Sequence, residues 1–107
     1  MNSLSTHILD ISTGKPAQGV AVQLLRDETM LAQDITDSNG RIGAFPVPLT
    51  PGRYRLVAAI GAWFAGQGRE TLYPCAQIDF VIAQTAGEPL HLPFVIAPGG
   101  WSTYRRS

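Results

Sequence analysis

The sequence predicts an all-β fold, a sandwich of two antiparallel sheets with one short helix. Two observations carry that reading. Apolar residues recur mainly with period two, the spacing of a strand with one face toward a core. Turn formers are dense: the chain has 11 Gly and 8 Pro, including those in TGKP, SNG, TPG, AGEP and APGG, so the strands between them are short. About seven or eight such strands and one short helix indicate a sandwich of two antiparallel sheets.

In chain order, LSTHILDIS opens as a strand, with His7, Leu9 and Ile11 on one face and Ile8 on the other. In GVAVQLLRD, Val20, Val22 and Leu24 share a face. Asn39-Gly40 joins MLAQDITD to RIGAFPV and is the strongest hairpin signal, because a type I′ turn wants positive φ at both central residues. YRLVAAI aligns Tyr54, Leu56, Ala58 and Ile60. GAWFAGQGRE breaks the alternation and predicts a short helix around Trp63, Phe64 and Ala65, limited by Gly66 and Gly68. AQIDFVIA returns to period two, with Ala76, Ile78, Phe80 and Ile82 against Gln77 and Asp79. In LHLPFVIAP, the face of Leu90, Leu92, Phe94 and Ile96 reads as core, which turns His91 outward with Pro93, Val95 and Ala97. The core strands are expected to end before Gly99.

The chain of 107 residues fits one domain over residues 1–107, large enough for one real core. Eight basic and eight acidic residues balance, so there is no basic field for nonspecific nucleic-acid or anionic-membrane binding. The one cysteine, Cys75, excludes an internal disulfide and reads as a small buried hydrophobe. The opening MNSLSTHILD has neither a basic start nor a long apolar run, and no stretch approaches the roughly 18 apolar residues of a spanning helix. A cytoplasmic protein is expected.

Chemistry has few places to sit. His7 and His91 are the two histidines, each in a strand-like segment, and each taken singly reads most simply as a hydrogen-bonded structural side chain. The His, Cys and carboxylate spacing offers no metal site, and there is neither a serine nucleophile elbow nor a glycine-rich phosphate loop. Arg41 alone reads as a solvated turn charge. The tail is different: WSTYRRS sets Trp101, Tyr104, Arg105 and Arg106 in seven residues, although chain ends commonly fray and aromatic and Arg side chains concentrate in binding sites.

Four segments, in order, resemble one family. LSTHILDISTGKPAQGVAVQL resembles the opening of the transthyretin-like 5-hydroxyisourate hydrolases. TDSNGR resembles their Thr-x-x-Asp-Gly-Arg turn, and WFAGQGRETLYP their short helix with its following Tyr/Phe-Pro. HLPFVIAPGGWSTYRRS resembles their last strands and Tyr-Arg-Gly-Ser ending, with Arg106 in place of Gly. The resemblance implies a transthyretin-like sandwich of two four-stranded antiparallel sheets with one short helix. It implies a homotetramer, a dimer of dimers, with sites between the dimers, no metal and no organic cofactor. The implied reaction belongs to urate breakdown: water opens the six-membered ring of 5-hydroxyisourate, giving 2-oxo-4-hydroxy-4-carboxy-5-ureidoimidazoline. The implied catalytic residues are His7, Arg41, His91 and Ser107, with Tyr104 and Arg105 joining His7 and Arg41 in holding substrate.

Those residue types suit a cyclic amide. A neutral imidazole takes a proton near pH 7, and an always-charged guanidinium offers a fork of donors to substrate oxygens and a developing oxyanion. On this reading His7 and Arg41 position substrate and water and His91 transfers protons, while both histidines stay candidates for the base. The alternative on the same scaffold is a non-catalytic small-molecule binding protein of the transthyretin type.

Overall fold

The computed structural model describes residues 3–83 and 89–105. Among the described residues, ten strands and one helix run in the order β1 Leu4–Asp10, β2 Lys15–Pro16, β3 Ala21–Arg26, β4 Thr29–Ile35, β5 Arg41–Ile42, β6 Gly52–Ala58, α1 Ile60–Ala65, β7 Ala76–Ile82, β8 Leu90–His91, β9 Phe94–Ala97 and β10 Gly100–Thr103. They form two sheets. One is the expected four-stranded antiparallel sheet, β4-β3-β6-β7.

The other sheet departs from an all-antiparallel plan. It runs β10-β9-β1-β2, with β5 and β8 also paired to β1. β8 and β9 lie parallel to β1 in one continuous register, Leu4 beside Leu90 and Ile8 beside Phe94. They amount to one strand interrupted at Leu92-Pro93, where proline has no N–H for the ladder. Across the gap Leu92 N–H donates to Ser5 O at 3.1 Å, and Thr6 Oγ1 donates to Leu92 O at 2.7 Å. On its other side β1 pairs first with β5 and then with β2, both antiparallel. The sheet therefore has four strand positions filled by six short strands.

The core lies between the sheets. Ile8, Leu24, Leu56, Ile60, Phe64 and Phe94 are fully buried there. The alternations in β3, β6 and β7 turn their apolar faces inward as the sequence indicated. Helix α1 buries Ile60 and Phe64 one turn apart in the core, and each such side chain is worth roughly 1.5–3 kcal/mol. Trp63 Nε1 donates to Gln18 O at 2.7 Å. Arg69, just past the helix, lies 4.8 Å from the Phe64 ring centroid and pairs with the buried Asp10 of β1.

Three further expectations need correction. Asn39-Gly40 does not make a β-hairpin: β4 belongs to one sheet and β5 pairs with β1 in the other, so the turn is a crossover. The type I′ pattern falls instead at Asp27 (φ 49°) and Glu28 (φ 68°), which join β3 to β4. Cys75 is exposed. Its neighbour Ala76 begins β7 pointing inward, and period two turns residue 75 out. Finally, strand structure continues past Gly99, because β10 pairs with β9 from Gly100 to Thr103. Trp101 packs half-buried against the core, its ring centroid 6.1 Å from that of Phe94.

Candidate active site

Strand β1 organises the site. Leu4, Thr6, Ile8 and Asp10 are buried, so Ser5, His7 and Leu9 form its outward face, each half-buried. Antiparallel pairing sets Arg41 of β5 opposite His7, and parallel pairing sets His91 of β8 beside Ser5. Paired residues project to the same side of a sheet, so Ser5, His7, Arg41 and His91 share one face. The expected outward direction of His91 is therefore what the fold gives.

The spacing follows from sheet geometry. Neighbouring strands lie about 4.8 Å apart, so Arg41 and His91 flank β1 with about 10 Å between their strands. The Ser5–His91 rung stands two residues, roughly 6.6 Å, from the His7–Arg41 rung.

Local bonding holds both rungs. Ser5 Oγ lies 2.8 Å from His91 Nδ1 and donates to Leu90 O at 3.4 Å. Arg41 leaves a turn built around Asp37, whose Oδ1 accepts the backbone N–H groups of Asn39 and Arg41, each at 2.9 Å. Those two bonds, Arg41's first, hold the Asp37 carboxyl below its ordinary pKa; the charges of Arg41 and His7 lower it further. Gly40 locks the turn against β1: Ile8 N–H donates to Gly40 O at 2.7 Å, and Gly40 sits at φ 73°. A Cβ there would come within 2.5 Å of Ile8 O.

Of the remaining expected site residues, Tyr104 is 51% exposed and Arg105 exposed, just beyond β10. Ser107 lies outside the described residues. Ser102, paired with Val95 and through it with Leu9, puts the start of the tail on the histidine face. Two hollows, about 370 Å³ beside Arg53, Tyr54 and Phe80 and about 630 Å³ beside Arg69, Leu72 and Tyr73, lie away from His7 and His91. Among the described residues no group of three or more His, Cys, Asp or Glu is placed to hold a metal. No helix among them is long and apolar enough to cross a membrane.

Sequence reasoning missed Ser5 and Asp37. Both had a signal. Ser5 stands two residues before His7 on the same strand face, and Asp37 is an Asx residue opening a turn.

A β-sandwich of this topology, with two histidines and an arginine on the outer face of its mixed sheet, belongs to the class of transthyretin-like folds. The HIUase/Transthyretin family model matches residues 4–106, and the chain is a member of that family. A solved 5-hydroxyisourate hydrolase from Klebsiella pneumoniae is 58% identical, covers all of both chains and superposes with a TM-score of 0.94. The 5-hydroxyisourate hydrolase of Salmonella typhimurium is 39% identical over 112 residues, 99% of this chain and 82% of the relative. Sea bream transthyretin, solved in complex with thyroxine, shares the fold at 24% identity and a TM-score of 0.88, over 96% of this chain and 93% of its own.

Proposed function

We propose that this chain is a 5-hydroxyisourate hydrolase. It opens the six-membered ring to 2-oxo-4-hydroxy-4-carboxy-5-ureidoimidazoline in urate breakdown. The observation that carries the reading is the shared face: His7 opposite Arg41, with His91 on the flanking strand. Relatives named for this activity span nearly the whole chain.

The chemistry is addition of water to a cyclic amide. One imidazole takes a proton as the water oxygen bonds to the ring carbonyl carbon. The negative charge that gathers on the carbonyl oxygen is met by the Arg41 guanidinium and its fork of N–H donors. The ring C–N bond then breaks, the departing nitrogen takes a proton, and a carboxylate remains. His7 and Arg41 position substrate and water, and His91 moves the proton. Tyr104, Arg105 and Ser107 close the pocket from the tail. No step calls for a metal or organic cofactor.

The working form is a homotetramer, a dimer of dimers, acting in the cytoplasm. Support for assembly comes from the apolar character of the outward face, where Leu9, Val95 and Ala97 are only half-buried and Ile11 is 56% exposed. A chain whose one cysteine leaves it without an internal disulfide suits a reducing compartment. The test is product analysis in oxygen-18 water: the enzyme should yield the ring-opened product with one labelled carboxyl oxygen. Unchanged substrate held by the protein would support the carrier alternative instead.

A further inference from the structure

The histidine face holds a fourth polar side chain, Ser5, that the proposed reaction leaves without a task. We infer that Ser5 is a positioning residue that fixes the tautomer of His91, and so makes His91 Nε2 the proton acceptor of the reaction. The inference rests on the hydrolase reading above.

The argument is one of proton count. The Ser5 hydroxyl has one proton and two nearby acceptors, His91 Nδ1 at 2.8 Å and Leu90 O at 3.4 Å. If the hydroxyl proton goes to Nδ1, the Leu90 contact holds no hydrogen bond from Ser5. If it goes to Leu90 O, the hydroxyl oxygen still accepts Nδ1–H, and both contacts are hydrogen bonds at once. Only the second arrangement satisfies the whole chain, Nδ1–H to Oγ–H to the Leu90 carbonyl. It places the imidazole proton on Nδ1 and leaves Nε2 as the acceptor nitrogen. A bond made by one ring nitrogen is the usual means of setting the state of the other.

The backbone makes this arrangement stiff. Ser5 and His91 are paired residues of the parallel β1–β8 ladder. Leu90 N–H donates to Ser3 O at 2.8 Å and Leu92 N–H to Ser5 O at 3.1 Å, bracketing His91 on both sides. The buried Thr6 hydroxyl adds its bond to Leu92 O at 2.7 Å. Ser5 thus meets His91 from a fixed direction, across the β1–β8 ladder on the flank of β1 opposite the one that pairs with Arg41.

The experiment compares Ser5→Ala and Ser5→Thr with the wild type, by steady-state kinetics and by nitrogen-15 NMR of the imidazoles above their titration range. With two histidines in the chain, a His7→Gln sample assigns both signals. Wild-type His91 should show Nδ1 protonated and Nε2 bare. Ser5→Ala should move it toward the Nε2–H form that an unconstrained imidazole favours. The same variant should lose about tenfold in kcat with KM nearly unchanged, a part of the roughly 10²–10⁴-fold that a positioned proton-transfer group contributes. Ser5→Thr keeps the hydroxyl on a strand-favouring side chain and should restore both signals.

An Nε2–H wild type would overturn the inference. So would a Ser5→Ala variant with unchanged kcat, or a Ser5→Thr variant as impaired as Ser5→Ala. The NMR arm needs no substrate, so a wild type with the Nδ1–H tautomer but no turnover would defeat the hydrolase reading and the acceptor role while leaving the tautomer assignment standing.

Discussion

His7 and Arg41 face each other as paired residues across the β1–β5 ladder. An imidazole and a fixed cation are thereby held on one rung, and the partner strand on the far side of β1 adds the second imidazole. From this arrangement the mutational predictions follow.

His7→Ala, Arg41→Ala and His91→Ala should each lower kcat/KM by about 10²–10³-fold, the usual cost of removing a proton-transfer or electrostatic group. All three lie on the outward face, so the far-ultraviolet circular dichroism should match the wild type. Steady-state assays check the first point, and spectra of the same samples the second. A chelator should leave the rate unchanged.

Gly40→Ala should impair both stability and activity. The position needs positive φ, and a Cβ would press on the backbone oxygen of Ile8. Left-handed strain of roughly 1–2 kcal/mol and overpacking of similar size sum to about 3 kcal/mol. Because Arg41 is the next residue, kcat/KM should fall as well. Gly99→Ala is the control: it has open space around it and should shift a urea midpoint very little.

The Asp10–Arg69 pair should show itself as a pH-dependent contribution to stability. Burial works to raise the Asp10 pKa, but hydrogen bonds from Arg69 and Ser12 outweigh it and hold the carboxyl below its ordinary value. The folded state therefore gains from ionised Asp10 above about pH 4, and loses that gain as pH falls through the lowered folded value. Arg69→Met strands a carboxylate that is 1% exposed, and should cost about 3 kcal/mol near pH 6. Urea titrations should find that difference shrinking toward pH 2–3. A constant difference across the range would assign the loss to packing against Trp63 and Phe64 instead.

Deleting Tyr104 through Ser107 should abolish turnover while moving the melting temperature little. Among the described residues the last β9–β10 pair is Thr103 with Phe94, and Thr103 Oγ1 also donates to Pro93 O at 2.7 Å, so the cut leaves that ladder whole. Calorimetry and activity on one preparation separate the two effects. Arg106→Gly restores the family ending and should keep or raise the rate.

Much of this was legible in the sequence, and the exceptions have physical causes. Period-two runs placed β3, β6 and β7 with the right faces inward, because one-sided burial writes itself into every second residue. The same rule turned His91 outward. The partner of a strand is not written locally. Asn39-Gly40 promised a hairpin, yet the next strand joined β1, since a turn signal reports backbone dihedrals and not which sheet receives the chain. Conversely, Asp27-Glu28 makes the hairpin with neither Gly nor Asn, where tertiary pairing overrides residue preference. His7 and Arg41 are 34 positions apart, and His91 lies another 50 beyond. Their meeting is a fact of topology that only resemblance anticipated. Ser5 was missed because its place on the His7 face, though legible, gains a chemical meaning only once its ladder neighbour His91 is known.

The most direct test follows the ultraviolet absorbance of freshly generated 5-hydroxyisourate with a catalytic amount of the wild type, beside the His7→Ala/Arg41→Ala/His91→Ala triple variant. The account predicts decay far faster than the spontaneous reaction with the wild type, and decay at the spontaneous rate with the variant. Wild-type protein that leaves the spontaneous rate unchanged, or a triple variant as fast as the wild type, would contradict it.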